Sequence, residues 1–168
     1  MKNYFPKRKK SGYRAQAMVE FAIALPVIMM LLVGIMEVGR MVLTYALANN
    51  ASRDAVRYAS AVGFGDDGFH KYNNCVGIKN LAIKSGNIAA ISSSNITITY
   101  TDENGNNPQT CDRTTTGEDT DITVDSGYRV TVSVTASYKP VVNLIPIGQK
   151  DFTATSSRTI LGIFDLDD

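Results

Sequence analysis

The stretch RAQAMVEFAIALPVIMMLLVGIMEVGR, residues 14–40, decides how this chain is built. Between Met18 and Met36 a single acid, Glu20, interrupts an apolar run, and Phe21 to Met36 is sixteen residues without a charge. Counted from Ala15 the run holds twenty-two residues. As a helix it is roughly 33 Å long, which matches the hydrocarbon core of a bilayer. A membrane span is therefore predicted over residues 18–36. Glu20 then lies at bilayer depth, where a charged carboxylate costs roughly 2.5 to 3.5 kcal/mol and marks a functional position. Pro26 removes one backbone donor inside the run and predicts a kink in the first turns of the helix.

Charge is distributed unevenly around this segment. Lys2, Lys7, Arg8, Lys9, Lys10 and Arg14 precede it without any acid, whereas residues 62–168 carry eight bases against thirteen acids. A basic head, an apolar run and an acidic body follow the positive-inside rule, which keeps the N-terminus in the cytoplasm and places the body outside. The cluster Lys7 to Lys10 needs no nucleic acid to explain it, because the adjacent apolar run accounts for the charge and no aromatic ladder accompanies it. A secretory signal would have a shorter apolar core and a small-residue cleavage site just beyond it. Here Glu37, Val38, Gly39 and Arg40 follow instead, so the run reads as an anchor.

The helical pattern continues past the span. Val38, Met41, Val42, Tyr45, Leu47, Ala48, Ala51, Ala55, Val56 and Ala59 recur mostly at three- and four-residue steps, without a proline before Gly63. One helix of about forty residues, near 60 Å, is expected. Glu37 with Arg40, and Asp54 with Arg57, stand three apart and are placed to pair on one face. For Glu37 and Arg40, just above the bilayer, an interfacial anchor is the alternative reading. Gly34 and Gly39 permit close approach of another helix without forming a GxxxG pair.

Beyond Gly63 the texture turns to Gly, Asn, Ser and Thr. Tyr128, Val130, Val132, Val134, Ala136 and Tyr138 alternate with Arg129, Thr131, Ser133, Thr135 and Ser137, which predicts a strand buried on one side. Ile96, Ile98 and Tyr100 predict a second strand, ending in the turn-rich Asp102 to Pro108, and Phe152 to Ile160 predicts a third. Ile78 to Ala90 reads as a short helix weakened by Gly86. The fold class is α+β: a long N-terminal transmembrane and amphipathic helix followed by a small antiparallel β-sheet domain. Such a domain has a limited core and gains from a staple. Cys75 and Cys111, in an exported segment, fit one disulfide worth about 2 to 4 kcal/mol, with two unpaired thiols as the alternative.

Arg14 to Pro26, with Glu20-Phe21 ahead of the proline, followed by Gly34-Ile-Met-Glu37-Val-Gly39-Arg40 and by Ala51-Ser-Arg53-Asp-Ala-Val-Arg57-Tyr-Ala59, resembles the TadE-like pseudopilins. These are minor components of the tight-adherence (Tad, or Flp) pilus system of bacteria and archaea. The resemblance covers residues 14 to about 61 and implies a type IV pilin-like helix. It also implies a precursor whose basic leader, residues 1–15, is removed by a prepilin peptidase at the cytoplasmic face. In such precursors the acid is the fifth mature residue, which makes Gln16 the first and puts the cut between Ala15 and Gln16. Ala15 stands where these precursors usually carry Gly. Residues 16–61 then form the pilin-like helix and residues 62–168 the extracytoplasmic domain.

Cleavage would create an α-amine on Gln16 with a reference pKa of about 7.7 to 8.0. Pairing Glu20 of one subunit with the amine of a neighbour would neutralise both in lipid and favour ordered addition to a helical array. A protonated or snorkelling Glu20 without a role in assembly is the competing reading. The implied assembly residues are Glu20, Phe21, Pro26, Glu37 and Arg40. The implied partners are other pilins and pseudopilins through the N-terminal helix, the prepilin peptidase, the inner-membrane assembly platform and the lipid bilayer, and no nucleic acid.

Motifs for catalysis or metal binding lead elsewhere. Gly63-Phe-Gly65-Asp-Asp-Gly68 matches GxGxxG formally, but it follows a helix, and Asp66 and Asp67 would repel a pyrophosphate. Asp102-Glu-Asn104-Gly-Asn106-Asn107 resembles a calcium loop with Gly105 one place early and Arg113 where a bidentate Glu is needed. His70 is the only histidine, and it reads as a surface loop residue. No catalytic residue, metal ligand or cofactor is expected. The leading function is a structural, non-enzymatic minor pilin in the inner membrane or its pilus; a single-pass anchored binding module that does not polymerise is the alternative. A tethered hydrolase would need a nucleophile or acid constellation that the sequence does not offer.

Overall fold

The computed structural model describes residues 12–113, 117, 122–142 and 148–161, with side chains from residue 15 onward. The basic cluster Lys2 to Lys10 and the acidic tail Asp165, Asp167 and Asp168 lie outside the described residues. Helix α1 spans Gly12–Ala59, 48 residues, or about 72 Å. It is continuous through Pro26, which has no N–H to give to the Ala22 carbonyl. A helical state for the apolar part is what a lipid setting would require, because there every backbone polar group must be satisfied within its own segment. Gly63, with φ of +100°, turns the chain away after the last helical bonds from Ser60 and Ala61.

The chain divides into two compact units, Met1–Gly39 and Arg40–Asp168. In the first, the side chains of α1 are almost all exposed. In the second, Ala48, Ala51, Ser52, Ala55, Val56 and Ala59 form a buried stripe along α1. Nearly every residue of that stripe is small, which lets the helix backbone lie close against a sheet. Ser52 satisfies its buried hydroxyl twice, through the Asn49 carbonyl at 3.0 Å and Ser156 Oγ at 2.9 Å.

The sheet consists of β1 (Ile96–Thr101), β2 (Gln109–Thr110), β3 (Arg129–Tyr138) and β4 (Lys150–Thr159), in the order β2-β1-β3-β4, all antiparallel. The three predicted strands are present, and the alternation of β3 is realised residue by residue. Val130, Val132, Val134, Ala136 and Tyr138 are buried, as are Ile96, Ile98 and Tyr100 of β1 and Ala154 of β4. The opposite face carries hydroxyls that pair across β3 and β4: Thr131 with Ser157, Ser133 with Thr155 and Thr135 with Thr153, each at 2.9 Å. This ladder gives a solvent-facing side to a strand pair whose other side is largely apolar and carries Ser156 and Arg158 toward the end of β4.

Two local features depart from the expectations. The helix expected over Ile78 to Ala90 is instead α2, Cys75–Ser85, followed by a 3₁₀ turn at Asn87–Ala89. It ends at Gly86, whose missing Cβ leaves room for the Ile91 side chain. It begins earlier because Asn74 caps it, accepting from the Gly77 amide at 2.8 Å. The second departure is the short β2, which lies just past the turn-rich segment and pairs through Thr99 with Thr110 and Tyr100 with Gln109.

Asn74 is fully buried and also donates from Nδ2 to Asp67 at 2.6 Å, so one side chain joins the 63–74 loop to the first turn of α2. Asn74→Ala is expected to destabilise the protein by about 1 to 2 kcal/mol. Thermal unfolding together with faster hydrogen exchange at the Gly77 amide would show it; unchanged exchange at Gly77 would remove the cap from the account.

Candidate assembly surface

The surface that needs explanation is the first part of α1. Met18 is 76 % exposed, Phe21 62 % and Ile35 70 %, and the apolar side chains between them are largely exposed as well. Soluble monomers rarely show contiguous apolar patches beyond a few hundred Å². Among the described residues α1 is the one helix long and apolar enough to cross a membrane, so the chain carries a single N-terminal helix consistent with single-pass anchoring.

The residues singled out from the sequence fall along this helix. Ala15, Gln16, Glu20 and Phe21 are exposed, and the Ala15–Gln16 bond lies in the first turn of α1 in the uncleaved chain. Gln16 and Glu20 are four apart and therefore share a face. Gly34 and Gly39 have open space where a Cβ would stand, leaving the backbone there accessible to close packing. Glu37 is only 6 % exposed, the one buried charged side chain among the described residues. The sequence suggested its pairing or anchoring but not its burial.

In the second unit, α1 is tied to the sheet by contacts that sequence reasoning did not foresee. The Arg40 guanidinium lies over the Tyr138 ring at 5.9 Å, and Tyr45 meets Phe152 edge-on at 6.0 Å. The expected pairing of Asp54 with Arg57 is not formed; the Asp54 carboxylate accepts from Ser85 Oγ at 2.8 Å instead. A short hydroxyl on a neighbouring element competes well with an exposed guanidinium, because an exposed ion pair gains little.

Cys75 and Cys111 form a disulfide, with their Cα atoms 5.7 Å apart. It joins the first residue of α2 to the residue after β2, beside the Asn74 cap and the hydrogen bond from the Tyr100 hydroxyl to the Tyr72 carbonyl. The sequence motifs set aside earlier have plain structural uses. Gly63 to Gly68 belongs to a loop closed by a bridge between Phe64 and His70, and His70 stacks between Phe64 at 4.3 Å and Tyr72 at 5.2 Å. Asp102 holds its turn by accepting from the amides of Asn104 at 3.0 Å and Asn106 at 2.7 Å. No group of three or more candidate metal ligands occurs among the described residues.

Tyr58, near the end of α1, has its phenol pushed above the ordinary value of 10.0, first by burial and then by Asp67 and Asp66. Folding therefore favours the protonated phenol. This contribution to stability is complete below pH about 10 and is lost as pH rises through the higher folded value. The part of the phenolate absorbance removed by Tyr58→Phe is expected to titrate above pH 10, and Asp67→Asn should move it down. A titration unaffected by Asp67→Asn would dismiss the acidic contribution.

Residues 15–57 match the family model described as "TadE-like protein". No curated protein and no solved structure matches the chain. The matched residues run from the proposed cleavage position through Glu20, Glu37 and Arg40 to the buried small-residue stripe. Over this stretch of α1 the chain is similar to the TadE-like family.

Proposed function

We propose that the chain is a structural minor pilin that enters a tight-adherence pilus through α1, and that it performs no catalysis. The observation that carries this reading is the bare apolar helix holding one carboxylate near its start, within a segment that is TadE-like. A tether needs only a span. It has no use for an acid at Glu20, which costs free energy in lipid unless something offsets it.

The leader is removed between Ala15 and Gln16, leaving residues 16–61 as the pilin helix and residues 62–168 as the extracytoplasmic domain. The new α-amine on Gln16 then joins the positive end of the helix dipole, and Glu20 lies just over one turn away, where a carboxylate is favoured. A neighbour's amine brought to Glu20 neutralises both charges and gives the packed array a register that lipid alone would not supply. Phe21 and Pro26 shape the adjoining surface, and Glu37 and Arg40 mark its upper end. The N-terminus lies inside and the sheet outside, in an oxidising compartment that suits the Cys75–Cys111 bond. Subsequent partners are other pilins, the prepilin peptidase and the assembly platform of the inner membrane.

Mass spectrometry of the protein recovered from cells with an active prepilin peptidase tests this reading. A mature chain beginning at Gln16 is expected. An intact leader would overturn it and leave a membrane-anchored module that does not polymerise.

A further inference from the structure

We propose that the groove between the end of α1 and the edge of β4 is a phosphate-binding site held by Arg53, Arg57 and Arg158. The groove encloses about 430 Å³, and Ser156 and Ser157 also line it. Arg53 and Arg57 are four apart, so they share one face of α1, and Arg158 stands across from them on β4. Among the described residues none of the three guanidiniums meets a carboxylate. Asp54, the acid of the groove, is engaged by Ser85.

A guanidinium stays charged at any physiological pH and presents a planar fork of five N–H donors, which matches phosphate oxygens two at a time. Three such forks offer more donors than the two oxygens of one carboxylate can accept. Less the charge of Asp54, they leave a local balance near that of a phosphate dianion. Three arginines around one groove, offset only by Asp54, repel one another, and an oxyanion between them removes that repulsion. The same chemistry is offered by inorganic phosphate, by a phosphate on an extracellular polymer and by a phospholipid headgroup. The site uses only the part of α1 beyond the predicted span of residues 18–36 and none of the proposed assembly residues, so it stands or falls separately from the assembly role.

The full-length chain in nanodiscs of phosphatidylcholine is titrated calorimetrically with inorganic phosphate at constant ionic strength. Saturable one-site binding is expected, weakened at least tenfold by Arg57→Gln and by Arg158→Gln but not by Lys139→Gln, outside the groove. Arg57→Lys, which keeps the charge and loses the fork, should bind with intermediate strength, and phosphate should raise the melting temperature of the parent protein but not of Arg158→Gln. If phosphatidic acid in the nanodisc competes with free phosphate, the headgroup is a source; if it does not, the source is soluble or polymeric, and both results retain the site. Non-saturable binding overturns it, as does equal affinity in the glutamine variants. Tighter binding of a tetra-aspartate peptide than of phosphate overturns it too and assigns the groove to an acidic chain.

Discussion

Replacing Cys75 and Cys111 together by alanine is expected to lower the unfolding free energy by about 2 to 4 kcal/mol, a large part of what a domain this size possesses. The bond closes a loop with a sequence separation of 36 and joins α2 to the chain just after β2. β2 has only two residues, paired to β1 at two positions. Without the covalent link the entropy of the unfolded chain rises, and nothing comparable holds the β2 edge in place. Both sulfurs are fully buried, so alanine avoids leaving an unsatisfied hydroxyl that serine would introduce. Denaturant unfolding of the detergent-solubilised protein should show the loss, and hydrogen exchange should accelerate first in β2 and in the first turn of α2. An unaltered midpoint would mean that cap and core hold this corner without the bond.

Glu20→Val is expected to abolish incorporation into pili while leaving the protein in the membrane at its normal level. Valine removes the charge that opposes insertion, so anchoring can only improve. What disappears is the carboxylate proposed to meet the Gln16 amine of a neighbour. Glu20→Gln keeps the shape and a hydrogen-bonding group but no charge, and should also fail. Glu20→Asp keeps the charge on a shorter arm and should retain part of the wild-type level. Quantifying the subunit in sheared pili against the membrane fraction separates these outcomes. Wild-type piliation by Glu20→Val would remove Glu20 from assembly altogether.

The parts of the fold that sequence made legible are those in which one periodicity persists. Phe21 to Met36 reads as a helix long and apolar enough to span a membrane, and the alternation from Val130 to Tyr138 reads as a strand with one buried side. Both patterns are local and long. The start of α2 was misplaced because it depends on Asn74, whose capping role is set jointly by Asp67 in the loop and by Gly77 in the helix. Its end was misplaced because Gly86 terminates it for the sake of Ile91, a packing contact and not a pattern. Of the candidate assembly surface, the place of Glu20 within an apolar run was legible, since a charge there is visible in one dimension. The burial of Glu37 and the grouping of Arg53, Arg57 and Arg158 were not.

The sequence by itself therefore determined the long helix, its capacity to span a bilayer, the anomalous carboxylate and the inward faces of the strands, because hydrophobic periodicity is written along the chain. Only the tertiary structure decided that Asp54 bonds Ser85 rather than Arg57, that Arg40 lies on Tyr138, and that Arg158 comes to the arginines of α1. Those contacts join residues that are up to about a hundred positions apart, and the free-energy differences among competing polar partners are too small for local sequence to rank. Packing α1 against β4 makes the choice.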